Sequence, residues 1–375
     1  MEIRFSVKSF TDALSRVCGV ISSRNTVPIL ACVRIECIGN DKVSLTSSDG
    51  DMWLCKTVAV DSCSNGSSFC VNGMDLLRVL RNLDEGMVEL MLDESSSTLV
   101  FTYLGGKFTL PYLSSDEFPN PVTLKEEGFI DSTTMDAFCN AINNVRFCVA
   151  DELLRPTLNG VYCMFNESGL TTVATDGNRL ARFCDDSVRF DGDDNIILPR
   201  KFVNVLLSLN DDTISLITFN FDKSVIYITC DSFVMVSRVI EGRYPNYEAV
   251  IPRDSVKDVV VSRSKLLTSL KRVTPLGDTN SQLVSLTFAD NKLTVDARDI
   301  DFNKSATETI DVSDLGDFSL KIGFKGNSLI DVVSNIASEN IVMCLTDESH
   351  AAVFYGNENM KRESYVSILM PMLLA

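Results

Sequence analysis

A helical pattern of apolar residues recurs at a fixed interval along this chain of 375 residues. Leu14, Ile142 and Leu270 each lie within such a pattern, and 128 residues separate both neighbouring pairs, from 14 to 142 and from 142 to 270. Apolar residues spaced three and four apart form the buried face of an amphipathic helix. The constant period predicts that one folding unit is present three times. The stripes comprise Phe10, Ala13, Leu14, Val17 and Ile21, then Met135, Phe138, Ala141, Ile142 and Val145, and finally Leu266, Leu267, Leu270 and Val273.

Each unit continues with short strands and a second helix. Alternating apolar and polar residues predict antiparallel strands that bury one face. Helices on such sheets make an α+β fold, so we expect three repeated α+β domains. The second helices follow the start signals Asn72–Gly73, Pro199 and Gly326. They are predicted at Met74–Leu83, Arg200–Leu209 and Asn327–Ile336, and the strands include Ile29–Ile35, Lys42–Thr46, Met87–Leu92, Leu99–Tyr103, Leu158–Phe165, Leu170–Ala174, Thr213–Thr218, Val225–Cys230, Leu283–Phe288 and Lys292–Ala297.

A polar turn follows the second of these strands in each unit. In the middle unit, Thr175–Asn178 contains glycine and asparagine, which tolerate a positive φ, and the hairpin presents Arg179 and Leu180. Ser48–Gly50 occupies the same place in the first unit, and a looser Arg298–Asp299 does so in the third. Polar or proline-marked stretches between the units place the domain boundaries, giving domains of ordinary size at 1–125, 126–253 and 254–375.

Charge is unevenly distributed over these elements. The chain has a net charge of −17, which at first argues against a nucleic-acid partner. The six predicted helical segments nevertheless carry a net charge of +9, which leaves −26 for the rest of the chain. A basic helical face and an acidic outer face suit contact with a phosphate backbone. The alternative is that these helices have ordinary solvated surfaces, which often carry Lys and Arg.

The sequence lacks the residues that most catalytic and cofactor-binding sites need. His350 is the single histidine, and the 12 cysteines form no CxxC pair, so neither a His-based triad nor a His-based zinc site is expected. No cofactor, metal ion or phosphate-binding loop is predicted. The absence of an apolar export signal and of a long apolar run predicts a cytoplasmic protein with no membrane partner. A metal-dependent nuclease is a minor alternative, using Asp185–Asp186, Asp193–Asp194 or Asp211–Asp212.

Several motifs, taken together and in order, resemble the family of bacterial sliding clamps, the β subunits of DNA polymerase III. They are Arg24 in SRNTVPIL, RPTLNGV at 155–161, TDGNRLA at 175–181, EGRYPNYEAVIP at 241–252 and MPM at 370–372. The resemblance covers the whole chain. It implies the DNA clamp fold, in which a head-to-tail homodimer forms a six-domain ring with helices lining the hole. It also implies a non-enzymatic processivity factor that encircles duplex DNA without reading its sequence and binds the polymerase III α subunit, the clamp loader and other clamp-motif proteins.

The resemblance also implies three sets of functional residues. A hydrophobic groove for short linear peptides maps to Arg155, Leu158, Thr175, Gly177, Arg179, Leu180, Pro245, Val250, Ile368, Met370, Pro371 and Met372. DNA contacts map to Arg24, Arg200 and Lys201, and charge alone adds Lys265, Lys271 and Arg272. The dimer contact maps to the edge strand at Lys107, Phe108 and Leu110 in one chain and to Val273 and Leu276 in the other.

Three positions depart from the family pattern around the groove. Asn178 stands where the family usually has histidine, Ala249 where it often has a basic residue, and Leu373 where it commonly has arginine. These changes alter the polar rim of the groove and leave its apolar floor, so we expect a different peptide preference. A repeat scaffold that binds peptides but not DNA is the alternative function.

Overall fold

A computed structural model describes most of the chain, namely residues 2–22, 26–125, 128–152, 154–211 and 214–374. Arg24, which the family resemblance assigns to DNA contact, lies outside the described residues.

The described residues contain six α-helices and twenty-five strands. The helices are α1 (Val7–Val17), α2 (Gly73–Leu80), α3 (Met135–Asn143), α4 (Arg200–Leu209), α5 (Arg263–Val273) and α6 (Gly326–Ser334). The strands are β1 (Glu2–Ser6), β2 (Cys32–Ile38), β3 (Lys42–Ser48), β4 (Met52–Ala59), β5 (Ser62–Cys63), β6 (Ser68–Asn72), β7 (Met87–Asp93), β8 (Thr98–Tyr103), β9 (Gly106–Leu113), β10 (Phe129–Thr134), β11 (Gly160–Asn166), β12 (Gly169–Thr175), β13 (Arg179–Asp185), β14 (Asp194–Pro199), β15 (Leu216–Phe221), β16 (Val225–Thr229), β17 (Phe233–Arg238), β18 (Lys257–Ser262), β19 (Leu283–Ala289), β20 (Lys292–Asp299), β21 (Lys304–Asp311), β22 (Leu320–Lys325), β23 (Asn340–Leu345), β24 (Ala352–Gly356) and β25 (Tyr365–Leu369).

The order of these elements repeats three times. Each copy runs strand, helix, four strands, helix, three strands, and the first copy adds only the two-residue β5. Leu14, Ile142 and Leu270 are fully buried at equivalent places in the first helix of each copy. The predicted α+β fold with a threefold repeat is therefore confirmed.

The second helices begin where the sequence signals them. Asn72 caps α2, because its side-chain oxygen accepts a hydrogen bond from the backbone N–H of Asp75 at 3.0 Å. Glycine is required at the next position, since a Cβ on Gly73 would lie 2.7 Å from a Val33 methyl group. The predicted bounds of α4 agree with the structure at both ends.

Several predicted bounds differ from the structure. The strand predicted from Leu158 begins at Gly160, and the strand predicted from Ile29 begins at Cys32. In both cases a proline, Pro156 or Pro28, opens a short 3₁₀ turn that delays the strand. The predicted turn at 298–299 is the end of β20, and the chain turns at residues 300–303.

The described chain divides into two compact units. The first comprises residues 1–139 and 201–241, and the second comprises residues 140–200 and 242–375. In the first unit one antiparallel sheet follows the order β10-β15-β16-β17-β4-β3-β2-β6-β9-β8-β7-β1-β5. In the second unit an eight-stranded sheet follows the order β14-β11-β12-β13-β25-β24-β23-β18, and a four-stranded sheet follows the order β21-β20-β19-β22.

Asp222 is a buried carboxylate that organises the β15–β16 hairpin. Its Oδ1 accepts hydrogen bonds from the N–H groups of Ser224 and Val225 at 2.7 and 2.8 Å, and its Oδ2 accepts one from the N–H of Lys125 at 2.7 Å. Burial alone would raise the pKa of Asp222, but the hydrogen bonds from Lys125 and Ser224 lower it to about 2. The ionised carboxylate therefore stabilises the folded state.

We expect Asp222→Ala to lower the free energy of unfolding at pH 7 by about 1–2 kcal/mol, because the ionised carboxylate and its hydrogen bonds are lost. Since the folded pKa lies below the unfolded value of about 3.9, this stability is present above pH ~4 and is lost as the pH falls toward 2. Urea unfolding of both chains at several pH values measures the difference. A difference that stays constant between pH 6 and pH 2.5 would contradict this account.

Candidate functional site

The turn between β12 and β13 is fixed by its own side chains. The Thr175 hydroxyl donates to the Arg179 carbonyl at 2.7 Å and accepts from the Gly177 N–H at 3.1 Å. Asp176 Oδ1 accepts from the N–H groups of Asn178 and Arg179, both at 2.9 Å. Gly177 adopts a φ of +91°, and a Cβ there would lie 2.8 Å from Arg155 Nη1. The turn is rigid because each of these positions has a specific partner.

Arg179 is held at the start of β13 by two carboxylates. Its Nε lies 2.9 Å from Asp176 Oδ2 and its Nη1 lies 2.6 Å from Asp331 Oδ2, while its guanidinium lies 5.8 Å from the Phe147 ring centroid. Burial alone would lower the pKa of Arg179, but the Asp331 hydrogen bond and the neighbouring acidic groups raise it. The charge of Arg179 is thus compensated within the chain. No local sequence pattern indicates Asp331 or Phe147 as a partner of Arg179.

Arg155 covers the other side of this turn. Its Nε donates to Glu152 Oε1 at 2.5 Å, and its Nη2 donates to the Asp176 carbonyl at 3.4 Å. The side chain remains half exposed, so it is the more accessible of the two predicted groove arginines.

The predicted apolar residues separate into a buried set and an exposed set. Leu180 pairs with Ile368 across β13 and β25, and their exposed fractions are 2% and 5%. Leu158 is also buried, at 4%. The exposed fractions of Val250 and Met370 are 56% and 45%. Leu180 was predicted to be part of the apolar surface that contacts a peptide, but it is buried and supports that surface from below. Val250 and Met370 are the residues that expose apolar surface.

The C-terminal segment is fixed beside the turn. The Met370 N–H donates to the Asn178 carbonyl at 2.8 Å, and the Met372 N–H donates to the Gly323 carbonyl at 2.8 Å. These two bonds place Met370, Pro371 and Met372 against the β12–β13 turn and β22. Pro245 is exposed just before a 3₁₀ turn at Tyr247–Val250. All twelve predicted groove residues lie in the second unit, and the departures Asn178, Ala249 and Leu373 are exposed there.

The predicted DNA-contacting residues at the start of α4 already have partners. Arg200 Nη1 lies 3.1 Å from Asp151 Oδ2, and the Arg200 side chain is about half exposed. Lys201 Nζ donates to the Val20 carbonyl at 2.6 Å and forms an ion pair with Asp49. Lys201 is thus anchored within the first unit.

Helix α5 contains accessible cations. Arg272 forms two hydrogen bonds of 2.6 Å to the Glu308 carboxylate. Lys265 and Lys271 are exposed and have no ion-pair partner among the residues that the structure describes. Arg263, at the helix start, donates to the carbonyls of Val333 and Ser334. Of the basic charge counted in the sequence, two lysines on this helix are therefore without an ion-pair partner in the described part of the chain.

The predicted edge strand has an open side. Strand β9 pairs with β8 from Gly106 to Pro111 but with β6 only at Tyr112 and Leu113, so Lys107, Phe108 and Leu110 lie on an edge without a second neighbour in the described chain. Phe108 stacks on Phe101 with ring centroids 5.1 Å apart. Phe108 and Leu110 also line a groove of about 520 Å³ against α2.

The other half of the predicted dimer contact needs a correction. Val273 is fully buried in its own helix face, so its side chain is not available to a partner. Leu276, three residues later, is 39% exposed. The apolar stripe that identified α5 already assigns Val273 to the core.

Two of the aspartates considered for a nuclease, Asp185 and Asp211, have local structural roles, and Asp212 lies outside the described residues. The Asp185 carboxylate accepts hydrogen bonds from the backbone N–H and the hydroxyl of Ser187. Asp211 lies 2.8 Å from Arg16 Nη1. Within the described residues, no group of three or more His, Cys, Asp or Glu side chains is placed to hold a metal ion. In the same part of the chain, no helix is both long enough and apolar enough to span a membrane.

Family comparisons cover almost the whole chain in three consecutive matches. The models described as DNA polymerase III beta subunit, N-terminal, central and C-terminal domain, match residues 1–122, 133–246 and 248–373. The beta sliding clamp of Haemophilus influenzae is 27% identical over 375 residues and is covered in full, as is this chain. The beta sliding clamp of Escherichia coli is 26% identical over 362 residues, with 96% of each chain covered.

Solved structures give the same result for the fold. The Pseudomonas aeruginosa sliding clamp bound to griselimycin superimposes with a TM-score of 0.91 at 26% identity, and both chains are covered in full. The Bartonella birtlesii sliding clamp bound to griselimycin gives a TM-score of 0.90, also at 26% identity and full coverage.

Proposed function

This chain belongs to the DNA polymerase III beta subunit family, and we propose that it performs the work of that family through three surfaces. Its function is that of a DNA sliding clamp, which encircles duplex DNA and keeps the replicative polymerase on its template. The observation that carries this conclusion is the consecutive match of all three family domains. Primer extension on a primed circular template with polymerase III, clamp loader and ATP tests it. Longer products per binding event are expected, and unchanged product length would contradict the conclusion.

The first surface is the peptide groove around the β12–β13 turn. The rigid turn, the buried Leu180–Ile368 pair and the exposed Val250 and Met370 together make an apolar surface supported from beneath. Methionine adapts its shape to different partners, which suits a site that binds several proteins in turn. We assign the polymerase α subunit, the clamp loader and other clamp-motif proteins to this groove.

The second surface closes the ring. An open strand edge seeks a partner strand, and Lys107, Phe108 and Leu110 supply such an edge in the first domain. Leu276 of the partner chain is its proposed apolar contact. The contact is head-to-tail, and two copies of it close a ring of six domains, the proposed domains being 1–125, 126–253 and 254–375.

The third surface contacts DNA through phosphates. Lys265 and Lys271 have no ion-pair partner within the described ranges, and Arg24, Arg200, Lys201 and Arg272 complete the proposed set. Weak contacts suffice, because a closed ring retains DNA by topology while it slides. The chain is proposed to be a non-enzymatic factor that acts in the cytoplasm, where a bacterial chromosome is copied.

We expect the double variant Lys265→Gln with Lys271→Gln to weaken binding of duplex DNA about three- to tenfold at low salt. Two unpaired cations are lost, so the slope of log K against log[salt] decreases by about 2. Fluorescence anisotropy of a labelled duplex at several salt concentrations measures both quantities. The matched control is Lys304→Gln, whose ammonium already pairs with Asp299 at 3.6 Å. An unchanged salt slope in the double variant would remove Lys265 and Lys271 from the DNA surface.

A further inference from the structure

A second concave site lies in the second unit beside the peptide groove. It has a volume of about 480 Å³ and is formed where β13, the segment after Val250 and the segment before β25 meet. Its charged and apolar walls include Arg182, Glu248, Arg253, Arg362, Glu363 and Val366. We refer to it as the arginine pocket.

Backbone carbonyls hold two of the three arginines of this pocket. Arg182 Nη2 donates to the carbonyls of Arg362 and Glu363 at 2.9 and 3.1 Å, and Arg362 Nη2 donates to the carbonyls of Pro252 and Arg253 at 2.5 and 3.2 Å. Arg182 Nε is buried without a hydrogen-bond partner. None of the three arginines forms an ion pair with a carboxylate in the part of the chain that the structure describes. Neutral carbonyl groups thus position Arg182 and Arg362, while Arg253 has no hydrogen-bond partner among the described residues.

The local balance of charge in the pocket is positive. Arg182, Arg253 and Arg362 face Glu248 and Glu363, so the walls carry a net charge of +1 in a chain whose net charge is −17. A single carboxylate fits this balance, because arginine binds a carboxylate through parallel N–H···O bonds. The two glutamates disfavour a doubly charged phosphate.

The arginine pocket is continuous with the apolar groove. Leu180 pairs with Ile368 and Arg182 pairs with Val366 in the register of β13 and β25. Residues two apart on a strand point to the same face, so the apolar pair and the Arg182–Val366 pair are successive rungs of one face, about 6–7 Å apart. A peptide that lies on the surface supported by the buried Leu180–Ile368 pair reaches the level of Arg182 after about two extended residues.

We propose that the arginine pocket binds the carboxylate of an acidic residue that lies about two residues from the apolar anchor of a groove-binding peptide. This inference rests on the proposed peptide groove and adds a specificity element to it. The carboxylate occupies the space between the guanidinium groups of Arg182 and Arg253. Peptides with an acidic residue at that distance are therefore preferred over otherwise identical neutral ones.

Synthetic decapeptides test the proposal against the full-length protein. Each carries two adjacent leucines as anchors and, two residues before or after them, Glu, Gln or Lys. Fluorescence polarisation at low salt should show the better-placed Glu peptide binding about fivefold more tightly than its Gln counterpart, or about 1 kcal/mol. The order should be Glu, then Gln, then Lys, and the preference should shrink at high salt.

Variants locate the effect. Arg253→Gln, at an exposed side chain without a hydrogen-bond partner in the described chain, should abolish most of the preference for Glu without affecting folding. Arg253→Glu should make the Lys peptide the tighter ligand. Arg189→Gln, whose guanidinium donates to the Glu167 carbonyl away from this pocket, is the matched control and should keep the preference.

Two outcomes would overturn the proposal, and they are distinguishable. Equal binding of the Glu and Gln peptides, with both weakened when the leucines become alanines, would refute the arginine pocket and leave the groove intact. No binding of any leucine peptide would refute the groove and the pocket together.

Discussion

The double variant Val250→Ala with Met370→Ala should bind leucine-anchored peptides at least tenfold more weakly than the native chain, about 1.4 kcal/mol. Both side chains are about half exposed, so their loss removes apolar contact area from the peptide without opening a cavity in the core. Fluorescence polarisation measures the affinity, and thermal unfolding should give an unchanged midpoint. Leu180→Ala is a weaker test, because Leu180 is almost fully buried and its truncation destabilises the fold itself.

A control variant shows whether a loss of peptide affinity is specific to the groove or follows from any loss of exposed apolar surface. Ile130→Ala with Leu216→Ala removes two side chains of similar exposure from the first unit, 62% and 56%. This control should bind the peptides normally. Native affinity in the Val250/Met370 variant would show that the groove has been assigned to the wrong surface.

Leu276→Asp should convert the proposed dimer into a monomer at micromolar concentration, raising the dissociation constant at least a hundredfold. The side chain is 39% exposed in one chain, so the variant should fold, but the dimer would bury an unpaired carboxylate at each interface. Leu110→Asp, on the open edge of β9, should have a similar effect. Light scattering across a dilution series measures the mass.

The head-to-tail arrangement makes a further distinction possible. In a mixture of the Leu110→Asp and Leu276→Asp chains, one of the two contacts in a heterodimer contains no aspartate, so dimers should partly return. If the interface instead joined identical patches of the two chains, every contact in the mixture would contain an aspartate, and dimers would not return. Leu373→Asp, at a position 88% exposed and outside the proposed interface, should remain dimeric. A native mass for Leu276→Asp would exclude Leu276 from the interface.

The repeated architecture was predictable because its signals are local. The stripes around Leu14, Ile142 and Leu270 reflect a helical period that burial imposes on any amphipathic helix. The cap at Asn72 and the TDGN turn depend on hydrogen bonds between residues two to four apart. The turn after β20 was predicted two residues too early, at 298–299. Asp299 nevertheless takes part in the turn, since its Oδ1 accepts a hydrogen bond from the Phe302 N–H at 3.1 Å.

The details of the site were less predictable because they depend on contacts between distant residues. Arg179 and Asp331 are 152 residues apart, and no sequence pattern pairs them. The registry of β13 with β25, which buries Leu180 and aligns Arg182 with the groove, is likewise set by tertiary pairing. Charge counts also omit ion pairing, so they included Arg272 among the free cations although Glu308 holds it.

The most direct test of the central claim is whether DNA is held by topology. The chain, with clamp loader and ATP, is loaded onto nicked circular DNA, the complex is isolated by gel filtration in moderate salt, and half of it is linearised with a restriction enzyme. The chain should stay with the circular DNA and slide off the linear DNA within minutes. Equal retention on both forms, or equal loss from both, would contradict a closed ring that encircles the duplex.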